Sequence, residues 1–188
     1  MRSEVTRAAE GFDRRAFTVS EILRMQDAGI LSEDENFELI EGEIVAMQAK
    51  GPIHETLKAA CNIAIVRALP EHLWMAVEAS VYLNKNTIVE PDLIVFPHAV
   101  KMENLKGSDI LLAIEISASS LEYDLGIKSH LYAKYKIHEY WVVDVYGRTT
   151  YQHFGPSRGD WRRRAEVGPT EALTHALLPG FAIRLSDY

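Results

Sequence analysis

Apolar and polar positions along the chain change period several times, and each change marks an element. Thr18-Val-Ser-Glu21 has the spacing of a capping box, which predicts a short helix to about Gly29. From Phe37 to Met47 apolar and polar residues alternate around Glu41-Gly42, the pattern of a hairpin. Gly51-Pro52 opens a second helix: Ile53, Leu57, Ala60, Cys61, Ala64, Ile65 and Ala68 recur at helical spacing up to Pro70. Strand patterns follow at Leu73–Leu83, closed by Asn84-Lys-Asn86, and at Ile88–Phe96. After a polar connection over 97–109, Ile110–Ile116 is apolar enough for a strand buried on both faces. Ser117-Ala-Ser-Ser120 breaks it, residues 123–137 read as a helix, and Glu139–Val145 reads as another buried strand. Two turn-separated strands lie around Thr149–Phe154 and Trp161–Val167, and a last short one follows Pro179-Gly180.

From residue 52 to 145 the order is helix, strand, strand, strand, helix, strand. This predicts an α/β (α+β) fold: a mixed sheet flanked by helices, with an extra N-terminal hairpin and C-terminal strands. Residues 1–16 are polar and read as a flexible arm, leaving one domain over 17–188. One cysteine, Cys61, rules out an internal disulfide framework and a multi-cysteine zinc site. No apolar run approaches a membrane span, and the first ten residues lack an apolar leader, so the expected setting is cytoplasmic.

The 188 residues carry 20 Lys+Arg and 27 Asp+Glu, a formal charge of −7. Residues 1–94 hold 9 basic and 16 acidic side chains, and residues 95–188 hold 11 of each. The acid excess lies in the first half. It argues against tight non-specific binding to nucleic-acid backbone, but not against a local site that takes phosphate through a metal.

Two acids stand out within apolar strands. Asp92 begins Asp-Leu-Ile-Val-Phe, and Glu115 ends Ile-Leu-Leu-Ala-Ile-Glu. If these strands pair antiparallel, both carboxylates meet at one rim. Two anions about 4 Å apart repel by roughly 4 kcal/mol at an effective dielectric of 20, and a shared proton, a basic partner or a divalent cation relieves this. Mg²⁺ or Mn²⁺ suits such oxygen donors. Lys128 lies on the next helix, four residues after Asp124 and on a shared face with Tyr132. A lysine there can orient a water or offset charge on phosphate. Glu38 could add a carboxylate, and His54, at a helix start, could bind phosphate or substrate.

Each residue alone also has a structural explanation. Asp92 after Pro91 can bond a turn, Glu115 can pair with Lys128, and Lys128 can be a solvated helix lysine. Glu38 can pair across strands, and His54 can be a plain helix-start residue. Arg162-Arg-Arg164 reads as a surface ribbon; Tyr132, Tyr135, Tyr140 and Trp141 read as packing; Cys61 reads as an inert core thiol. What points to a site is the combination: acid, acid at a strand end, then lysine on the following helix.

The stretches 37–45, Gly51-Pro-Ile-His54, Glu90-Pro-Asp-Leu93, Glu115-Ile-Ser-Ala118, 124–132, His138–Asp144 and Leu178-Pro-Gly-Phe181 together resemble the Uma-two family of restriction-endonuclease-like proteins, a branch of the PD-(D/E)XK nuclease superfamily. The resemblance runs from about Phe17 to the C-terminus. It implies the αβββαβ restriction-endonuclease core, with Pro91-Asp92 as the "PD" element, Glu115 as the second acid and Glu38 as the N-terminal acid. Ser117 stands where a lysine is usual, and Lys128 would be the relocated lysine. The implied function is Mg²⁺- or Mn²⁺-dependent hydrolysis of DNA phosphodiesters, with Asp92, Glu115, the Ile116 carbonyl and Glu38 around the metal. Lys128 would assist the attacking water, and His54, Asp124 and Tyr132 would lie beside the substrate. A homodimer is expected, because cutting both strands needs two sites. Two other readings keep the fold: a non-catalytic nucleic-acid-binding or oligomeric accessory protein built on a salt-bridge network, and a hydrolase of small phosphodiesters.

Overall fold

In the computed structural model, residues 14–32 and 35–188 are described, so most of the expected arm lies outside the described residues. The described residues divide into two compact units, one of those up to 47 with 82–89 and one of 48–81 with 90–188.

The first unit holds helix α1 (Val19–Asp27) and a four-stranded sheet of order β2-β1-β5-β4. Its strands are β1 (Phe37–Ile40), β2 (Glu43–Ala46), β4 (Val81–Asn84) and β5 (Thr87–Val89). The Thr18 and Glu21 side chains close the capping box on α1. Between β1 and β2, Glu41 and Gly42 both take positive φ (50° and 91°), as the primed hairpin turns require. A Cβ on Gly42 would come within 2.5 Å of the Ala16 Cβ, so this turn excludes a side chain sterically as well.

The second unit is built on a six-stranded sheet of order β10-β9-β8-β7-β6-β3. Its strands are β3 (Leu73–Val77), β6 (Leu93–Pro97), β7 (Leu112–Ser117), β8 (Glu139–Asp144), β9 (Thr150–Ser157) and β10 (Asp160–Val167). Helix α2 (Pro52–Ala68) lays Leu57, Cys61 and Ile65 into a core with Leu93, Val95, Leu112, Ile114, Trp141 and Val143. The short pair β11 (Leu173–Thr174) and β12 (Ala182–Ile183) adds Leu173 and Ile183 to that core. Leu57 is fully buried, and truncation to alanine costs about 3 kcal/mol in such a setting. The same packing fixes the start of α2, where His54 stands.

Neighbours pair antiparallel except β7 and β8, which are parallel. A parallel pair needs a crossover. It is supplied by α3 (Leu121–Tyr123), a π-helical segment (Asp124–Lys128) and α4 (Ser129–Lys134). All six residues of β7 are buried, as its apolar run predicts.

Two predicted strands are each broken in two. The strand pattern from Leu73 to Leu83 is shared between β3 and β4, which belong to different sheets. The break follows Val77: Glu78 takes positive φ (49°), and its amide turns to the Asp92 carbonyl at 3.1 Å. The run from Ile88 to Phe96 breaks at Pro91, which has no amide to give a ladder. The predicted order survives in β3, β6 and β7, with β4 and β5 inserted as a hairpin of the other sheet.

Candidate active site

The β6–β7 register sets Leu93 opposite Ile114, and one residue further along it sets Asp92 beside Glu115. The Ile116 amide donates to Asp92 Oδ2 at 2.8 Å. Through that amide, Asp92 Oδ2 lies within about 5 Å of the Glu115 Cα. The two acids therefore share one end of adjacent strands, as the apolar runs predict, and both are buried.

Their partners come from different elements. Asp92 is met from the start of α2 and the loop before it: His54 Nε2 is 3.3 Å from Oδ2, and Lys50 Nζ is 3.0 Å from Oδ1. Oδ1 is buried and accepts no aligned hydrogen bond from any described residue. Burial by itself would raise the Asp92 carboxyl. The His54 contact, the Ile116 amide and the Lys50 charge outweigh it and hold the group down to about 2.

Glu115 is met from the crossover helix. Lys128 Nζ is 2.8 Å from Oε1, and the Tyr132 hydroxyl donates to the same oxygen at 2.7 Å. Tyr132 is fully buried, so what the structure gives it is a hold on Glu115. Asp124 Oδ2 accepts from the Ser117 and Ser120 hydroxyls, each at 2.6 Å, which ties the end of β7 to the helix. The Ser129 amide bonds the Asp124 carbonyl five residues back, the bond of a π turn, and such turns recur at functional sites. Ser117 is fully buried. Glu38 is buried on β1 in the first unit, and the site described here is built from the second unit alone.

Four residues not singled out in the sequence, Lys50, Glu55, Lys58 and Glu78, form a charged cluster that reaches Asp92 through Lys50. Glu78 Oε1 binds both Lys50 and Lys58, and Lys58 also reaches Glu55 at 2.8 Å. Burial opposes the charge on Lys50, but Glu78 and Asp92 together raise its ammonium above the ordinary range. The two lysines in turn lower the Glu78 carboxyl. Glu55 and Lys58, three apart on α2, were legible as a helix-face pair; a single lysine in the loop before Gly51 leaves no pattern.

Among the described residues no three His, Cys, Asp or Glu side chains converge at metal-ligand spacing. The donors present are still those a hard cation takes. They are two carboxylates on adjacent strand ends, one with a buried oxygen that is met by the Lys50 ammonium but accepts no aligned hydrogen bond. The residues fit Mg²⁺ or Mn²⁺.

The family model described as "Uma2: Putative restriction endonuclease" matches residues 19–186. The chain belongs to the Uma2 family. No curated protein matches it. Among solved structures it is similar to the crystal structure of "a putative nuclease belonging to DUF820" from Anabaena variabilis ATCC 29413. That match has a TM-score of 0.72 at 15% identity and covers 91% of this chain and 96% of the other. At that identity the likeness establishes the restriction-endonuclease-like mixed sheet flanked by helices. With the family match, it makes this a nuclease-like protein. No helix among the described residues is long and apolar enough to cross a membrane.

Other readings of single residues are settled by burial. Arg162, Arg163 and Arg164 are all exposed on β10, with Arg163 stacked 3.6 Å over the Phe154 ring. Tyr140 and Trp141 are fully buried packing residues. Cys61 is buried, and burial pushes its thiol up to about 12.

Proposed function

We propose that this Uma2 protein is a divalent-metal-dependent endonuclease that hydrolyses DNA phosphodiester bonds. The observation that carries the reading is the pairing of Asp92 and Glu115 at adjacent strand ends, with Asp92 Oδ1 buried and met by the Lys50 ammonium without an aligned hydrogen bond. Asp92, Glu115 and the Ile116 carbonyl would hold Mg²⁺ or Mn²⁺. When bound, such an ion supplies Lewis acidity and neutralises charge at the phosphate.

The chain's own residues do the rest. His54 and the Ile116 amide fix Asp92 in its ionised form. Tyr132 and Lys128 fix Glu115, and Lys128 contributes positive charge where negative charge develops on the phosphate. Asp124 anchors the helix that carries Lys128 to the end of β7 through Ser117 and Ser120. The family description and the printed name of the A. variabilis protein support nuclease chemistry. Cutting both strands calls for two such sites, which a homodimer would supply. The test is cleavage of supercoiled plasmid with Mg²⁺ or Mn²⁺: wild type nicks or linearises it and Asp92→Ala does not. Equal activity in the two removes the assignment.

A second reading has its own observation. Glu115 already pairs with Lys128, and Asp92 with Lys50 and a contact from His54, so both carboxylates have partners that need no metal. On that reading the fold serves a non-catalytic accessory protein. Absence of calorimetric Mg²⁺ or Mn²⁺ binding by wild type, together with strong destabilisation by Asp92→Ala, would favour it.

A further inference from the structure

Lys50 bonds Glu78 while its ammonium lies 3.0 Å from Asp92 Oδ1, the oxygen that accepts no aligned hydrogen bond. Lys50 is therefore shared between two carboxylates, and its contact with Glu78 is the better aligned of the two. Lys58 also bonds Glu78, and it reaches Glu55 rather than Asp92. A quarter of the Lys50 side chain is exposed against 6% for Lys128, so Lys50 has room to move and Lys128 does not.

We propose that Lys50 is a place-holder cation: it neutralises Asp92 in the metal-free protein and gives up Oδ1 to an incoming divalent ion, retreating onto Glu78. The inference rests on the metal-dependent reading above. It follows from charge. A doubly charged ion on Asp92 and an ammonium beside the same carboxylate repel, so the two compete for one oxygen. Glu78 gives the displaced ammonium a partner, so its departure leaves no buried charge uncompensated. Glu78 is held for this just after β3 ends, where its backbone takes positive φ and its amide bonds the Asp92 carbonyl at 3.1 Å. Lys50 is a positioning residue in this account, because it acts on the metal through Asp92.

The test is Mn²⁺ affinity of the full chain, measured by calorimetry and by the loss of free-Mn²⁺ electron paramagnetic resonance signal. Lys50→Met should bind Mn²⁺ about tenfold more tightly than wild type, the effect of one partly exposed charge removed from the ligand. Lys50→Arg should stay near wild type, and Lys58→Met should change affinity much less than Lys50→Met. Glu78→Gln removes the retreat position and should weaken Mn²⁺ binding, which gives an independent reading if Lys50→Met folds poorly. Unchanged or weaker binding in Lys50→Met, with binding still abolished in Asp92→Asn, overturns the place-holder and leaves the metal site standing. Failure of both wild type and Lys50→Met to bind Mn²⁺ overturns the place-holder and the metal-dependent reading together.

Discussion

The Lys128 ammonium lies 2.8 Å from Glu115 Oε1, and both side chains are buried. A buried pair is weak evidence for stability as a pair, but removing one partner strands the other's charge. Lys128→Met should therefore cost about 3 kcal/mol in chemical unfolding. The double variant Lys128→Met, Glu115→Gln should recover most of it. A Lys128→Met protein as stable as wild type would show that Glu115 does not depend on this contact.

Asp92 gives a pH signature. Its folded-state value of about 2 lies below the ordinary 3.8, so its stabilisation is fully present above about pH 4. It is lost as pH falls toward 2. The shift corresponds to about 2 kcal/mol. Urea unfolding followed from pH 6 down to pH 2 should show stability falling more steeply in wild type than in Asp92→Asn. Parallel curves for the two proteins would contradict the ionised, hydrogen-bonded Asp92 described here.

Much of this arrangement was legible beforehand, and the reason is locality. Thr18 with Glu21 and Glu41 with Gly42 encode their cap and their turn in four residues or fewer. The apolar runs flanking Asp92 and Glu115 fixed the face and the end at which those acids emerge once the strands pair. What was not legible depends on partners far along the chain. The strand-like composition of Leu73–Leu83 is silent about which sheet a strand joins, so the division into β3 and β4 left no mark. Lys50 and Glu78, 28 positions apart in the chain, acquire meaning only when the fold brings them together. The π segment at Asp124–Lys128 is equally hidden, since the same residues would serve an α-helix.

The junction between β7 and the crossover helix makes a separate prediction. Asp124 takes two hydroxyl hydrogen bonds, from Ser117 and Ser120, and its carbonyl accepts from the Tyr140 hydroxyl at 3.1 Å. Asp124→Ala strands two buried or half-buried hydroxyls and should cost about 2 kcal/mol, with Ser117→Ala costing less. Both should lower nuclease activity in proportion to the disturbance of Lys128. Equilibrium unfolding checks the first part, and a change under about 0.5 kcal/mol for Asp124→Ala would remove the anchoring role.

The most direct measurement is an anomalous difference map from crystals grown or soaked with Mn²⁺. It should show one strong peak coordinated by the carboxylates of Asp92 and Glu115, with the peak absent from Asp92→Asn crystals. A map from well-ordered wild-type crystals with no peak at those two side chains, and with Lys50 still seated on Asp92, would contradict the metal-dependent account.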